Sequence, residues 1–293
     1  MNAPLHVAVV GTGRMGGAMA GRIATAGHSL TVWNRSRDKA EAVAAGLPGV
    51  VVAGTARDAA KAADVVVVSL TDDQAAASAY RGDDGLLAGL RPGVVVADTS
   101  TLAPETIRRL GEEAGATGAQ LADTPVSGSV ASIDGGAVLV MAGGETDAVE
   151  RARPALESFA QRIILLGPLG SGSTMKLAVN ALVFGLNQAL AEALVLAERA
   201  GVERSLAYEV FANSAAGAPF VAYKRAAFDD PDSAPVAFAL DLVAKDLDLA
   251  AALATEVGAP VPQLETNRRV IGEAIAAGLG DADMSAVARQ LRG

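Results

Sequence analysis

The sequence contains no cysteine. Disulfides, thiolate metal ligands and cysteine nucleophiles are excluded together, and a reducing compartment, the cytoplasm, is the expected location. Histidine is nearly absent as well: His6 belongs to an apolar run and His28 to the turn before the next one, so both read as structural and histidine-based proton transfer is disfavoured. Of the three tyrosines, Tyr80, Tyr208 and Tyr223, none is followed four residues later by a lysine, which removes a Tyr/Lys proton-transfer pair. No set of side chains suggests a metal site. Positive charge is in deficit, 24 Lys and Arg against 33 Asp and Glu for a net charge of −9, and nucleic acid is therefore not an expected partner. Residues Met1 to Leu5 lack the basic and apolar regions of a signal peptide. The most apolar later stretch, Leu177 to Ala191, is interrupted by Asn180, Asn187 and Gln188 and falls short of the roughly 20 residues of a membrane span.

What the chain has is apolar bulk in small side chains: 293 residues, 51% hydrophobic and only 3% aromatic, enough for one large core or two. To about Leu166, short Val/Ile/Leu runs alternate with Ala-rich helical stretches. The expected strands are His6–Val10, Ser29–Trp33, Val65–Leu70, Val94–Asp98, Gln120–Asp123, Ala137–Ala142 and Ile163–Leu166. Continuously apolar strands predict a mostly parallel sheet covered on both faces. From Ser173 to Ala200 the pattern predicts one long interdomain helix, apolar around most of its circumference and in need of cover on nearly every side. Further helices follow, broken at Gly201, at Ala218–Pro219, at Pro231 to Pro235 and at Gly258 to Pro262. The expected organisation is an α/β N-terminal domain over residues 1–168 and an all-α C-terminal domain over 169–293. The long helix predicts a homodimer or homotetramer joined through the C-terminal helices.

The strand His6–Val10 runs into Gly11-Thr12-Gly13-Arg14-Met15-Gly16, and a helix follows. In that setting Gly11 makes a tight turn, Gly13 allows close backbone approach to a pyrophosphate, and Gly16 packs helix on strand, which is the fingerprint of a Rossmann dinucleotide site. Where an NAD site usually places an acidic residue after the second strand, this chain has Asn34, followed by Arg35, Ser36 and Arg37. A guanidinium there suits a 2′-phosphate, so NADP is the expected cofactor.

Hydride transfer to a carbonyl needs a proton donor, and lysine is the remaining candidate. Lys176 follows Gly167-Pro168-Leu169-Gly170-Ser171-Gly172 at the opening of the long helix, with Asn180 one turn on. Desolvation and a helix N-terminus both favour release of an ammonium proton. Spacing alone leaves a capping or solvated lysine equally open.

Several segments, in order along essentially the whole chain, resemble the β-hydroxyacid dehydrogenase family: Gly11 to Gly16, Asp98-Thr99-Ser100-Thr101, Asp123-Thr124-Pro125-Val126-Ser127-Gly128-Ser129, Gly170 to Asn180, Lys245-Asp246-Leu247 and Gly280-Asp281-Ala282-Asp283. The resemblance implies a Rossmann domain followed by a C-terminal domain like that of 6-phosphogluconate dehydrogenase. It implies Lys176 as general acid/base and Asn180 as its substrate-orienting neighbour. Ser127 and Gly128 would hold a substrate carboxylate, and Phe238 and Asp246 would shape the site mouth. Thr12, Arg14, Met15, Asn34, Arg35, Ser36, Leu70, Thr101 and Lys245 would join the three glycines as cofactor contacts. Residue by residue, a turn at Ser127–Gly128, core packing for Phe238 and a surface charge pair for Lys245–Asp246 stay open. The implied activity is hydride transfer between NADP(H) and a small anionic β-hydroxy acid or its semialdehyde or keto form, of the 3-hydroxyisobutyrate, glyoxylate or succinic semialdehyde type. Departures from the family pattern are Thr71, Thr124 and Ser129. Trp33 to Ser36 and Leu70 to Asp73 are also similar to imine reductases, which generally replace the lysine kept here as Lys176. A cofactor-binding protein without turnover is a third expectation.

Overall fold

The computed structural model describes residues 4–230 and 234–293. Residues 1–3 of the N-terminal segment and 231–233 of the expected break at Pro231 to Pro235 lie outside the described residues. The chain forms two compact units, Met1–Lys176 and Leu177–Gly293.

In the first unit the elements are β1 (His6–Val10), α1 (Arg14–Thr25), β2 (Ser29–Trp33), α2 (Arg37–Ala45), β3 (Val51–Val52), α3 (Ala56–Lys61), β4 (Val65–Val68), α4 (Asp73–Tyr80), β5 (Val95–Asp98), α5 (Pro104–Gly115), β6 (Gln120–Asp123), β7 (Val126–Ser127), α6 (Val130–Asp134), β8 (Val138–Gly143), α7 (Thr146–Leu156) and β9 (Ala160–Gly167). The sheet order is β3-β2-β1-β4-β5-β6-β8-β7, with β9 on β8. Pairing is parallel from β3 to β6, antiparallel where β8 meets β6 and β7, and parallel again between β8 and β9.

The valine-rich strands explain themselves. In β1, Val7 and Val9 enter one hydrophobic cluster while Ala8 and Val10 enter another, and in β4 Val65 and Val67 part from Val66 and Val68 in the same way. Side chains alternate across a strand, so a run apolar at every position is stable only where helices cover both faces. With the faces buried, exposed backbone is left at the strand ends, and the order reverses between β1 and β4, the place where open α/β sheets bind ligands. The expected strand Val65–Leu70 stops at Val68 because the Leu70 amide donates to the Ser100 Oγ instead of a strand neighbour. The two-residue strands β3 and β7 carry too little pattern to be foreseen.

The second unit is helical: most of α8 (Ser171–Arg199), then α9 (Arg204–Asn213), α10 (Pro219–Asp229), α11 (Leu240–Val257), α12 (Pro262–Ala274) and α13 (Val287–Arg292). Helix α8 has 29 residues and is long and apolar enough to cross a membrane, so the expectation of a stretch too short to span does not hold for the whole helix. Within the single chain α8 is covered on one side. Buried positions recur at Leu177, Asn180, Phe184, Asn187, Ala191 and Leu194, the spacing of one helical face, whereas Leu182 and Leu196 are 74% and 72% exposed. The buried face is partly polar and bonded: Asn180 donates to Asp246 at 2.6 Å, and Asn187 donates to the Met284 carbonyl at 2.9 Å.

An ion pair between the buried side chains of Lys224 and Asp283 also sits in this unit, at 2.6 Å. Asp283 accepts the amides of Ala237, Phe238 and Ser285 besides, so one carboxylate ties α10 to the segments that begin α11 and end the chain. Removing one partner of such a pair costs on the order of 3–5 kcal/mol, since the other charge stays buried and unpaired.

Candidate functional site

The turn after β1 has the geometry a dinucleotide needs. Gly11 has φ +94°, and a Cβ there would collide with the Ser69 carbonyl and press on Leu70. A Cβ on Gly16 would strike the Gly11 carbonyl, so this glycine exists for packing. Gly13 differs: it precedes the first turn of α1, is exposed, and a Cβ on it would meet nothing. The fold itself does not require a glycine at 13. A group bound against the backbone would, and the buried Thr12 Oγ1, which has no hydrogen-bond partner in the structure, adds an unspent polar atom beside it. These residues fit a dinucleotide pyrophosphate over the amide end of α1. Arg14 is exposed at the same turn, while Met15 packs against the sheet core. The Met15 side chain has a packing role, and its backbone lies at the turn.

Asn34 joins the turn to the end of β2. Its Oδ1 accepts the Thr12 amide at 3.1 Å and its Nδ2 donates to the Ser36 carbonyl at 3.0 Å. Arg35 and Ser36 are exposed there. Arg37 is engaged with Glu41 at 2.7 Å. Both histidines are structural, as expected: His28 accepts the Leu5 amide, and His6 shares a hydrogen bond with Thr31.

The ends of β5 and β6 carry Asp98 and Asp123, register partners on neighbouring strands and fully buried. Asp98 accepts the Tyr80 hydroxyl at 2.6 Å and the Ser100 amide at 2.9 Å, which shapes the loop holding Thr101. Asp123 accepts the amides of Gly170 at 2.9 Å and Ser173 at 2.6 Å, at the start of α8. Burial pushes both carboxyls above the ordinary range; for Asp98 the Tyr80 and Ser100 bonds oppose this while the charge of Asp123 adds to it, and for Asp123 the Gly170 and Ser173 amides oppose it. Lys176 follows Ser173 on the same helix and is half-buried.

Ser127 pairs through β7 with Leu139, and Gly128 has φ +146°, with Val138 Cγ1 only 2.8 Å from where a Cβ would stand. The departure at Ser129 has a local cause: it caps α6 in a reciprocal arrangement with Ser132. Thr71 is exposed and donates to Asp72, and Thr124 is buried with its hydroxyl unpartnered. In the helical unit Asn180, Asp246 and Lys245 form one cluster, since Asp246 also meets the Lys245 Nζ at 2.8 Å. Asp246 is 1% exposed, so the Lys245–Asp246 pair is not a surface one, and the buried carboxylate holds both of its neighbours. Phe238 is half-buried on Phe184, ring centroids 5.7 Å apart, as core packing would have it.

Asp98, Asp123, Tyr80 and the Lys224–Asp283 pair were not singled out in the sequence as partners. The available signal was an acidic residue closing an apolar strand, which must be buried and hydrogen-bonded.

Gly16→Ala is expected to lower the melting temperature by several degrees, about 2–4 °C for each kcal/mol lost. Gly13→Ala should leave melting close to wild type but weaken binding of the reduced nicotinamide dinucleotide about tenfold, the equivalent of ~1.4 kcal/mol, in a fluorescence titration. Wild-type affinity in Gly13→Ala would contradict the site.

Comparison with known proteins agrees with this geometry. Residues 6–167 match the model of the NAD binding domain of 6-phosphogluconate dehydrogenase, and residues 170–291 match that of the NAD-binding domain of NADP-dependent 3-hydroxyisobutyrate dehydrogenase. The chain is 35% identical over 212 residues to an NAD-dependent L-serine dehydrogenase of Pseudomonas aeruginosa, covering 72% of this chain and 70% of that one. It is 33% identical to the 3-sulfolactaldehyde reductase of Escherichia coli over 98% of this chain and 95% of that one. The solved structure of Mycobacterium tuberculosis 3-hydroxyisobutyrate dehydrogenase with L-serine superposes with a TM-score of 0.87 at 30% identity, covering 99% and 100% of the two chains. The strand-end turn, the buried carboxylates and the long helix with its lysine thus belong to a nicotinamide dinucleotide-binding oxidoreductase, and the chain is a member of the β-hydroxyacid dehydrogenase family.

Proposed function

We propose that the chain moves hydride between NADP(H) and a small β-hydroxy acid or its semialdehyde or keto form, of the 3-hydroxyisobutyrate, glyoxylate or succinic semialdehyde type, with Lys176 handling the proton. One observation carries the reading: Lys176 stands in the opening turns of α8, whose start is hydrogen-bonded to the end of β6, on the same sheet edge as the Gly11–Gly16 turn. When bound, the dinucleotide supplies or accepts the hydride. Lys176 Nζ gives a proton to the substrate oxygen in reduction and takes it back in oxidation. Backbone amides around Ser127 and Gly128 receive the substrate carboxylate. Asn180, held by Asp246, would orient the substrate from the next turn of α8, and Thr101 and Leu70 would hold the cofactor, with Lys245 as a further cofactor contact. The polar, bonded face of α8 supports a soluble protein, and the cysteine-free sequence fits the cytoplasm. Lys176→Ala is expected to lose turnover by at least about 100-fold while binding NADPH like wild type. Normal turnover in that variant would refute the assignment.

The NADP preference is supported by Asn34 standing where a carboxylate would repel a 2′-phosphate, and by the exposed Arg35 beside it. Arg35→Ala should lower kcat/KM with NADPH about tenfold or more, with little change for NADH, as a lost charge-assisted pair of ~1.4–3 kcal/mol requires. An enzyme with no NADPH preference, or none lost in the variant, would contradict it.

A homodimer or homotetramer is supported by the open stripe on α8. Leu182 and Leu196 stand two heptads apart, and burying each contributes about 1.5–3 kcal/mol. Light scattering is expected to give at least twice the chain mass, falling in Leu182→Asp. A monomeric wild type would contradict this.

A further inference from the structure

Asp123 sits where a purely structural acid is expensive to keep. It is fully buried, with a second carboxyl, Asp98, as its register partner on the adjacent strand. Both oxygens are nevertheless used on one target, the start of α8: Oδ1 takes the Gly170 amide and Oδ2 takes the Ser173 amide, from 47 and 50 residues away in sequence. The first amides of a helix have no partner within it, and the helix end carries partial positive charge. A strand thus supplies the cap that the helix does not supply for itself.

The surroundings are built for close approach. A Cβ on Gly143 would collide with Asp123 Oδ1 and stand 2.8 Å from the Gly172 amide nitrogen. A Cβ on Gly172 would collide with the Met141 carbonyl and stand 2.8 Å from the Asp123 carbonyl oxygen and 3.0 Å from its Oδ2. Two glycines, one on β8 and one in the first turn of α8, therefore let the helix start rest directly on the strand ends. Lys176 lies three residues beyond Ser173, so this clamp sets where its Cα stands along the sheet edge.

We propose that Asp123 is a positioning residue for Lys176, its carboxylate fixing the first turn of α8 so that the lysine amine meets the substrate oxygen in register. The proposal rests on the reading of Lys176 given above. Asp123 touches neither substrate nor cofactor. Its loss acts on the proton-transfer step and leaves the Gly11–Gly16 turn, on the far side of the β1–β4 pair from β6, as it was.

The test compares Asp123→Asn and Ser173→Pro with wild type and Lys176→Ala. Asparagine puts an amide group against one of the two backbone donors. Proline replaces the Ser173 N–H with a ring carbon set against the Asp123 carboxylate, so the hydrogen bond is lost and the helix start is pushed off the strand end with the acid still in place. Turnover is measured with NADPH on the best of glyoxylate and succinic semialdehyde, normalised to the folded fraction from near-UV circular dichroism. Both variants are expected to lose kcat on the order of 100-fold, with KM for NADPH within about twofold of wild type, as a lysine displaced by about an ångström requires. A deuteride isotope effect larger than in wild type is expected alongside. Wild-type kcat in the folded fraction of either variant overturns the proposal, including the case where the variants lose fold and activity in parallel, for then the carboxylate only supports the fold. The two readings separate in the same experiment. Inactive Lys176→Ala beside fully active Asp123→Asn defeats the positioning role alone, whereas active Lys176→Ala defeats the reading beneath it.

Discussion

Two hydrogen bonds from the start of a helix to one buried carboxylate hold this account together. Asp123 ends a strand apolar at its preceding two positions and spends both oxygens on the amides of Gly170 and Ser173. The sheet cannot carry chemistry on its faces, since valines and alanines fill them on both sides. Chemistry is left to the strand ends, where backbone amides, turn glycines and a few polar side chains are available. The clamp at Asp123 brings the opening of α8, and Lys176 with it, to that edge. Asn34 does the corresponding work on the cofactor side, tying the Gly11–Gly16 turn to the end of β2 with its own two hydrogen bonds.

Much of this was legible in the sequence, for reasons that can be named. Strands β1, β2 and β6 are bounded by unambiguous glycine, histidine or acidic punctuation and appear where the pattern put them. The dinucleotide turn was readable because three glycines have three separate steric tasks, and the structure separates them: Gly11 and Gly16 have no room for a side chain, and Gly13 has room that the fold does not use. The helical half was readable because Gly201 and Gly258 stand between its helices and Pro219 and Pro262 open two of them.

What escaped depends on contacts between residues far apart in the chain. Asp98 and Tyr80 meet across 18 residues, Lys224 and Asp283 across 59, and neither pair leaves a local pattern. Which face of α8 is covered within the chain escaped for a related reason. A helix made largely of alanine, leucine and valine reads as apolar all round, although only the face through Asn180, Phe184, Asn187, Ala191 and Leu194 is covered within the chain. Ser129 shows the reverse case: it departs from the family pattern, yet a local capping arrangement with Ser132 accounts for it. For the unpartnered Thr124 hydroxyl the structure offers no physical account.

The central claim concerns where one amine stands. A crystal structure of the protein with NADP+ and a bound short hydroxy acid tests it most directly. The account predicts Lys176 Nζ about 3 Å from the substrate oxygen on the carbon that faces the nicotinamide C4. An Nζ turned to bulk solvent, with another side chain or only water at that oxygen, would contradict it.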